Sequence, residues 1–454
     1  MLNKVRAYIE KHNLLNKNSL HIVALSGGAD SVCLLRIMKQ LGYRVEAAHC
    51  NFKLRGDESD RDEAFCMALC RELGLELHTV HFDTRAYASL HGVSIEMAAR
   101  ELRYGYFYQL AEAIDAEDII VAHHADDSIE TMLINLLRGT GITGLEGIKS
   151  ERGMIKRPLL CLTRKEIEGY LGELGQEYVT DSSNMVADVM RNKVRLNLVP
   201  LLEDIVDGAK QNITRTIENL AEAAKVVRFT IEQGVARCVE KTYDIHDKRC
   251  GLELKIRVEN LRREPSPEMV LYDVLKHYGF NSSQISEIYL LAVENTAEGR
   301  KVWHTKTYTV SMERGCIFVG HEVDAPTIVI PEGGMYICGT GMKMLIRVDD
   351  VTNDFIVSKD PLCATVDAVK VRMPLTLRRI QNGDRFTPYG MKCSKLISDY
   401  MADRKKNYFE RHQQMVLCDA GGEVIWLVGE RVSQKVACNE KTIKVLSARY
   451  IYDE

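Results

Sequence analysis

The sequence predicts an α/β protein: an N-terminal doubly wound parallel sheet, then a mainly helical middle domain, then a small α+β C-terminal domain. Three observations carry this. Over the first ~180 residues, short apolar runs alternate with amphipathic helical patterns, as in a parallel sheet covered by helices on both faces. From 210 to about 234 and again over 254–289 the period becomes helical, set in the first stretch by Ile213, Ile217, Leu220 and Ala224. The last ~85 residues hold short β-like runs, 371–379 and 424–428, around one helix-like segment, 395–403.

Residues 21–26 are a short apolar run ending at Gly27-Gly28, a buried-strand signal. Residues 31–42 follow with helical spacing, Val32, Leu34, Leu35 and Met38 being apolar. Residues 45–52 read as a second strand, 58–73 as a charged helix and 75–82 as a third strand. A long helix is expected over 94–114 with Ser94 as its N-cap, then a fourth strand at 118–124 and a helix at 127–138. Alternation returns at 301–319, and Pro326, Pro331, Gly333 and Gly334 mark a turn-rich passage. A chain of 454 residues has room for about three domains. They are placed at 1–218, 219–330 and 368–454, with 331–367 as a linker.

Composition excludes several classes. The net charge of -4 rules out a uniformly basic nucleic-acid binder, so any such site must come from local clustering. Thirteen cysteines are scattered with no Cys-x-x-Cys pair, the closest being Cys66 and Cys70. That argues for reduced thiols rather than a disulfide framework or a zinc ribbon. The N-terminal stretch lacks the apolar run of a signal peptide, and no window approaches a membrane span. A cytoplasmic protein that binds no membrane is the expectation. The sequence admits a homodimer without requiring one.

Ligands of a doubly wound sheet bind beyond the carboxyl ends of its strands. The loop after the first strand is Ser26-Gly27-Gly28-Ala29-Asp30-Ser31. Its glycines let the backbone approach phosphate oxygens, and the following helix points free N–H groups at an anion. The serines add hydroxyl donors. Asp30 would repel a bare phosphate, but it suits a site where Mg²⁺ bridges carboxylate and phosphate. No Gly-x-x-x-x-Gly-Lys-Ser/Thr occurs, which excludes a Walker-type loop. Residues 139–144 fit Gly-x-Gly-x-x-Gly but follow a helix, so the dinucleotide reading fails its context.

Four further patterns gather chemistry. His49-Cys50-Asn51-Phe52-Lys53-Leu54-Arg55 ends the second strand, where adenosine contacts are expected and Arg55 has reach toward phosphate. Arg100, Arg103 and Tyr104 share the long helix; such arginines are often no more than a solvated face. His123-His124-Ala125-Asp126-Asp127-Ser128-Ile129-Glu130-Thr131 concentrates ionisable groups at a strand end and helix start. Asp127 and Glu130 can act as an N-capping pair. They can equally grip a cationic amine and take a proton from it. Metal binding by His123, His124 and Asp127 matches no spacing rule. Finally, Asp181-Ser182-Ser183-Asn184 precedes Arg191 and Arg195, whose i, i+4 spacing puts two guanidinium groups on one face, suited to phosphate.

The phosphate loop resembles that of the PP-loop ATP pyrophosphatases. The ordered set Ser-Gly-Gly-x-Asp-Ser, Arg-x-x-Arg-Tyr, His-His-x-Asp-Asp-x-x-Glu-Thr, Asp-x-Ser-Asn and Arg-Asn-x-x-Arg is similar to the tRNA(Ile)-lysidine synthetase branch of that family. Gly383-Asp384-Arg385-Phe386, Pro388, Gly390-Met391, Lys395-Leu396 and Gly429 resemble its C-terminal module. The segment 49–53 departs from the commoner His-x-His-Gly-Leu form. The resemblance implies an adenine nucleotide alpha hydrolase-like fold at 1–218. It implies a ligase that uses ATP and Mg²⁺ to join free L-lysine to carbon 2 of the wobble cytidine in tRNA(Ile) with a CAU anticodon. The product is lysidine, formed through an adenylated intermediate. It implies that Ser26, Gly27, Gly28, Ala29, Asp30 and Ser31 hold the nucleotide, with Asp30 on the metal. Arg103 and His123 would serve adenylation, Asp127 and Glu130 would hold lysine, and Arg191 and Arg195 would contact tRNA or the activated base.

The tail adds charge. Residues 368–411 hold eleven Lys/Arg against four acids, +7 in a chain of net -4. Arg378, Arg379, Arg404, Lys405 and Lys406 are the candidates for tRNA contact, the last three followed by Tyr408 and Phe409. A solvated charged face is the competing reading. Among rivals, a thiolating PP-loop enzyme usually needs paired cysteines, and an amidotransferase-type synthetase needs an ammonia-supplying domain; neither is evident. A non-catalytic RNA-binding protein with a relic nucleotide fold is disfavoured by the intact loop.

Overall fold

The computed structural model describes residues 1–180, 190–241, 250–294, 299–323, 325–339, 342–352 and 355–452. The chain divides into two compact units, 1–227 and 228–454.

The first unit is built on a six-stranded sheet of order β3-β2-β1-β4-β6-β5. Strands β1 (Leu20–Ala24), β2 (Arg44–Asn51), β3 (Leu77–His81), β4 (Asp118–Ile120) and β6 (Ile155–Lys156) run parallel; β5 (Glu151–Arg152) is antiparallel to β6. The helices between them are α2 (Ala29–Gln40), α3 (Asp57–Leu73), α4 (Thr84–His91), α5 (Ile95–Ala113), α6 (Ala125–Leu137) and the short α7 (Ile142–Leu145). Helix α1 (Leu2–His12) precedes β1, and α8 (Arg164–Glu173), α9 (Met190–Lys193), α10 (Val199–Ile205) and α11 (Ala209–Cys238) follow the sheet.

Apolar runs bury because both faces of the sheet are covered. One core joins Val23, Val32, Leu34, Leu35, Ile37 and Met38 to Leu69 and Leu171. The other packs Ile22 and Ile119 under Phe107, Leu110 and Ala111 of α5. Ser94 caps α5 as expected, its hydroxyl accepting from the Met97 N–H. The cap of α6 lies earlier than expected: the N-cap is His124, and the Asp127 carboxylate accepts its backbone N–H at 3.1 Å. Asp127 is therefore the third residue of the helix, and Glu130 is left for other work.

In the second unit, helices Val258–Arg262, Pro267–Leu275 and Ser282–Glu294 pack with a five-stranded sheet of order β7-β8-β11-β10-β9. Its strands are β7 (Val239–Lys241), β8 (Leu252–Arg257), β9 (Lys301–His304), β10 (Tyr308–Glu313) and β11 (Cys316–His321), the last three matching the alternation expected there. Leu254, Ile256, Leu271, Leu275, Ile288, Val310 and Val319 form the shared core.

Three further sheets follow, the smallest pairing β17 (Arg385–Phe386) with β18 (Lys395–Leu396). Of the larger two, one has order β12-β16-β19-β20-β21: β12 (Ile328–Ile330), β16 (Leu375–Arg379), β19 (Met415–Cys418), β20 (Val424–Leu427) and β21 (Arg431–Val432). The other has order β13-β14-β22-β15: β13 (Gly334–Gly339), β14 (Met342–Asp350), β15 (Cys363–Asp367) and β22 (Lys444–Tyr452). Trp426, Leu377, Met344, Val366 and Leu446 fill one core between them. The stretch 331–367, expected as a linker, thus carries three strands of the terminal sheet. No helix among the described residues is long and apolar enough to cross a membrane. All thirteen cysteines are free.

Candidate active site

The order β3-β2-β1-β4 reverses direction between β1 and β4, and the crevice beyond their carboxyl ends is where such a sheet binds ligands. The loop 26–31 leaves β1 there. Gly27 has φ +87°, which a side chain would strain, and an added Cβ would meet Cys66 Sγ and Val179 at 3.4 Å. Two hydroxyls tie the loop: Ser31 Oγ donates to Gly28 O at 2.9 Å, accepts from the Ser26 N–H at 3.1 Å and lies 3.1 Å from Ser26 Oγ. Gly28 caps α2 without a side chain, so the first-turn N–H groups beside Ala29 and Asp30 are unobstructed.

Asp30 is the hinge between this loop and the next strand end. Its Oδ2 accepts from Arg164 at 2.6 Å, and its Oδ1 lies 3.6 Å from His124 Nε2. Oδ1 is buried and accepts no hydrogen bond from the described residues. Burial pushes the Asp30 carboxyl above its ordinary value, against the pull of His124 and Arg164. One unused carboxylate oxygen suits Mg²⁺, which keeps most of its waters and takes one or two carboxylates plus phosphate. Among the described residues no group of three or more His, Cys, Asp or Glu is arranged to hold a metal ion.

The end of β4 supplies the rest. His123 is half-buried, and burial first, then the charges of Arg157 and Arg191, bring its pKa down to about 4 despite Asp127. It is a neutral imidazole at physiological pH. Burial works against Asp126, yet the Arg164 backbone N–H at 2.8 Å and Lys210 at 2.9 Å hold its carboxyl below the usual range. Glu130 is only 3% exposed and lies between two arginines: Arg191 Nε at 2.8 Å and Arg195 Nε at 2.6 Å. Asp127 Oδ1 is 3.5 Å from the outer nitrogens of both. The two expected amine-binding carboxylates and the two expected phosphate-binding arginines therefore form one cluster. Arg195 belongs to a π-helical turn, Val194–Leu198, continuing α9. The motif at 181–184 lies outside the described residues.

Other expected residues lie outside this cluster. Arg103 is exposed, its guanidinium 5.1 Å from the Phe52 ring at the end of β2. Arg55 is engaged by Asp62 at 3.3 Å, which accounts for a cation expected at phosphate. In the second unit most of the basic tail is neutralised within the fold. Arg378 makes a two-pronged bond to Asp384 at 2.7 and 2.9 Å. Arg379 donates to Val323 O and to Gln413. Arg404 pairs with Glu430 at 3.3 Å, and Lys406 with Glu410 and Glu430 at 3.0 Å each. Lys405 is exposed. Arg157 and Arg164 were missed by sequence reasoning. A local signal existed for Arg164: Thr163 and Glu166 form a capping box, which marks a helix start directly after Leu162.

The PP-loop domain family matches residues 2–202, and the TilS substrate binding domain family matches residues 250–321. The tRNA(Ile)-lysidine synthase of Bacteroides thetaiotaomicron is 41% identical over 446 residues, covering 98% of this chain and 98% of that protein. The chain belongs to the tRNA(Ile)-lysidine synthase family. The relative from Parabacteroides distasonis, of the same name, is 38% identical over 454 residues, covering 99% of this chain and all of that one (100%). Among solved structures, the U34-tRNA thiolase NcsA from Methanococcus maripaludis aligns over 49% of this chain and 78% of that chain, with 20% identity and a TM-score of 0.40. As a member of this family the chain is a ligase-type, tRNA-modifying enzyme with an ATP-using PP-loop domain.

Proposed function

We propose that the chain ligates free L-lysine to carbon 2 of the wobble cytidine of tRNA(Ile) bearing a CAU anticodon. ATP is cleaved to AMP and pyrophosphate, and lysidine is formed. The observation that carries this reading is the meeting, in one crevice, of the phosphate loop 26–31 with the carboxylates Asp127 and Glu130.

In the first step the cytidine O2 attacks the α-phosphate, and the bond to the β-phosphate breaks. The loop 26–31, with the N–H groups opening α2, holds the departing pyrophosphate. Asp30 would hold Mg²⁺ through its unused oxygen; bound there, Mg²⁺ neutralises phosphate charge. Arg103 and neutral His123 hydrogen-bond the transferring phosphoryl group, stabilising its oxygens.

In the second step the ε-amine attacks carbon 2, and AMP leaves with the C–O bond electrons. Asp127 and Glu130 grip the lysine, and one of them takes the proton that makes the amine nucleophilic. The incoming ammonium competes with Arg191 and Arg195 for these carboxylates. Displaced guanidinium groups suit the phosphate of the adenylated base. The 368–454 module and the part matched at 250–321 are read as tRNA-binding elements. Lysine-specific labelling tests the whole reading. Radiolabelled lysine should enter a CAU-anticodon tRNA(Ile) transcript only with ATP and Mg²⁺, and not with Asp30→Ala or Asp127→Ala. Pyrophosphate release without lysine incorporation would keep the adenylation and discard the nucleophile.

A further inference from the structure

Arg157 follows β6 and is only 7% exposed, so its guanidinium is enclosed by protein. Its Nη1 donates to Lys149 O at 3.0 Å, while its Nε is buried without a hydrogen-bond partner. No carboxylate pairs with it among the described residues. The Tyr104 hydroxyl is in hydrogen-bonding reach of the guanidinium, and the charged side chains that act on it, Arg100 and Arg152, are both cations. Burying a guanidinium is strongly unfavourable unless an anion compensates it. A fold that encloses this cation among further cations has left a place for a negative group.

The neighbour of that place is His123. Its Nδ1 is likewise buried without a partner, and it senses the Arg157 charge. The two residues leave adjacent parallel strands, β4 and β6, on the same carboxyl-end side of the sheet. The register pairs Ile119 with Ile155 and Ile120 with Lys156, and the Val121 N–H donates to Lys156 O at 3.0 Å. Asp127 also faces His123, but its oxygens are engaged by the His124 N–H and by Arg191 and Arg195.

We propose that Arg157 and His123 together form an oxyanion subsite that takes a phosphoryl group of the substrate, separate from the pyrophosphate cradle at 26–31. The inference rests on the reading of this crevice as the adenylation site. The group comes either from ATP, as the α-phosphate under attack, or from tRNA, as a phosphodiester beside the target nucleotide. Arg157 is permanently charged and rigidly forked, and His123 is neutral, so the pair recognises anion geometry without adding a second fixed charge.

The test uses the full chain with Arg157→Ala and Arg157→Lys, following tRNA-dependent pyrophosphate release. Wild-type release establishes the underlying reading; its absence would sink that reading independently of Arg157. Loss of one oxyanion donor lowers the rate by about 100-fold or more. Arg157→Ala is therefore expected to lose about that factor in kcat/KM and to regain part of it with millimolar guanidinium. Arg157→Lys is expected to be intermediate. A raised KM for ATP with unchanged tRNA affinity assigns the group to ATP. Weaker tRNA binding, with a salt slope reduced by about one contact and unchanged ATP binding, assigns it to the phosphodiester. Wild-type kcat/KM in either folded variant, or loss of the fold in both, overturns the proposal.

Discussion

Glu130→Gln is the most discriminating single change, because it keeps the volume and removes the charge between Arg191 and Arg195. The Glu130 carboxylate is nearly inaccessible and accepts at 2.6, 2.8 and 3.2 Å from the two arginines. Breaking a fully buried ion pair costs about 3–5 kcal/mol. Arg191 and Arg195 are 40% and 38% exposed, so water recovers much of that, leaving roughly 1–3 kcal/mol. For a unit of this size each kcal/mol lowers Tm by about 2–4 °C, so a fall of roughly 2–12 °C is expected in the transition of residues 1–227. The functional effect should be selective. Lysine KM is expected to rise by about tenfold or more, equivalent to 1.4 kcal/mol of lost binding, while tRNA-dependent pyrophosphate release changes by less than about threefold. Thermal unfolding with two separable readouts, labelled lysine incorporation and pyrophosphate release, measures both. An unchanged lysine KM in a destabilised variant would show that Glu130 serves only the arginine cluster, and would refute its assignment to the amine.

Three further outcomes follow from the same geometry. Asp30→Asn should raise the Mg²⁺ concentration needed for half-maximal pyrophosphate release by about tenfold; an unaltered Mg²⁺ dependence would remove Asp30 from the metal. Lys405→Glu should weaken tRNA binding and flatten its salt dependence, whereas Lys406→Glu should chiefly lower the urea midpoint, because Lys406 is held by Glu410 and Glu430. Equal loss of tRNA affinity in both, at full stability, would show that the Lys406 pairs are incidental. His123 has a folded pKa of about 4 against about 6.5 in an unfolded chain, so the unfolded state binds the extra proton first. Its contribution is fully present above pH 6.5 and fades as pH falls towards 4. His123→Asn should accordingly show a flatter stability profile over that window in urea unfolding, and a parallel profile would place the acid sensitivity elsewhere.

Much of the first unit was legible because its signals are local. Period-two and period-3.6 patterns, punctuated by Gly and by Ser94, locate β1 to β4 and α2, α3, α5 and α6 to within a few residues, while the short α4 was not read from the sequence. The phosphate loop is contiguous, so its residue types and order survive translation into structure. What sequence could not show arrives from far along the chain. Arg164 reaches Asp30 across 134 positions, and Arg191 reaches Glu130 across 61. The charge sum over 368–411 is incomplete as well: it omits Asp367, Asp419, Glu430 and Glu313, the acids that meet Lys370, Arg372, Arg404 and Arg411 in space. The stretch 331–367 looked like a linker because its glycines and prolines hide short strands, and β14 and β15 both pair with the distant β22.

That last pairing bears on how the protein is made. Strand β22 inserts between β14 and β15, matching Met342–Asp350 along its whole length on one side and Cys363–Asp367 on the other. During synthesis β14 and β15 emerge well before it. Until it arrives, β14 has only the β13 hairpin, and both strands present open edges that invite pairing with another chain. Closing so long a loop is slow relative to the local pairings of β10 and β11. The terminal sheet is therefore the part of a nascent chain most in need of protection, and a ribosome stalled short of β22 would release an aggregation-prone product.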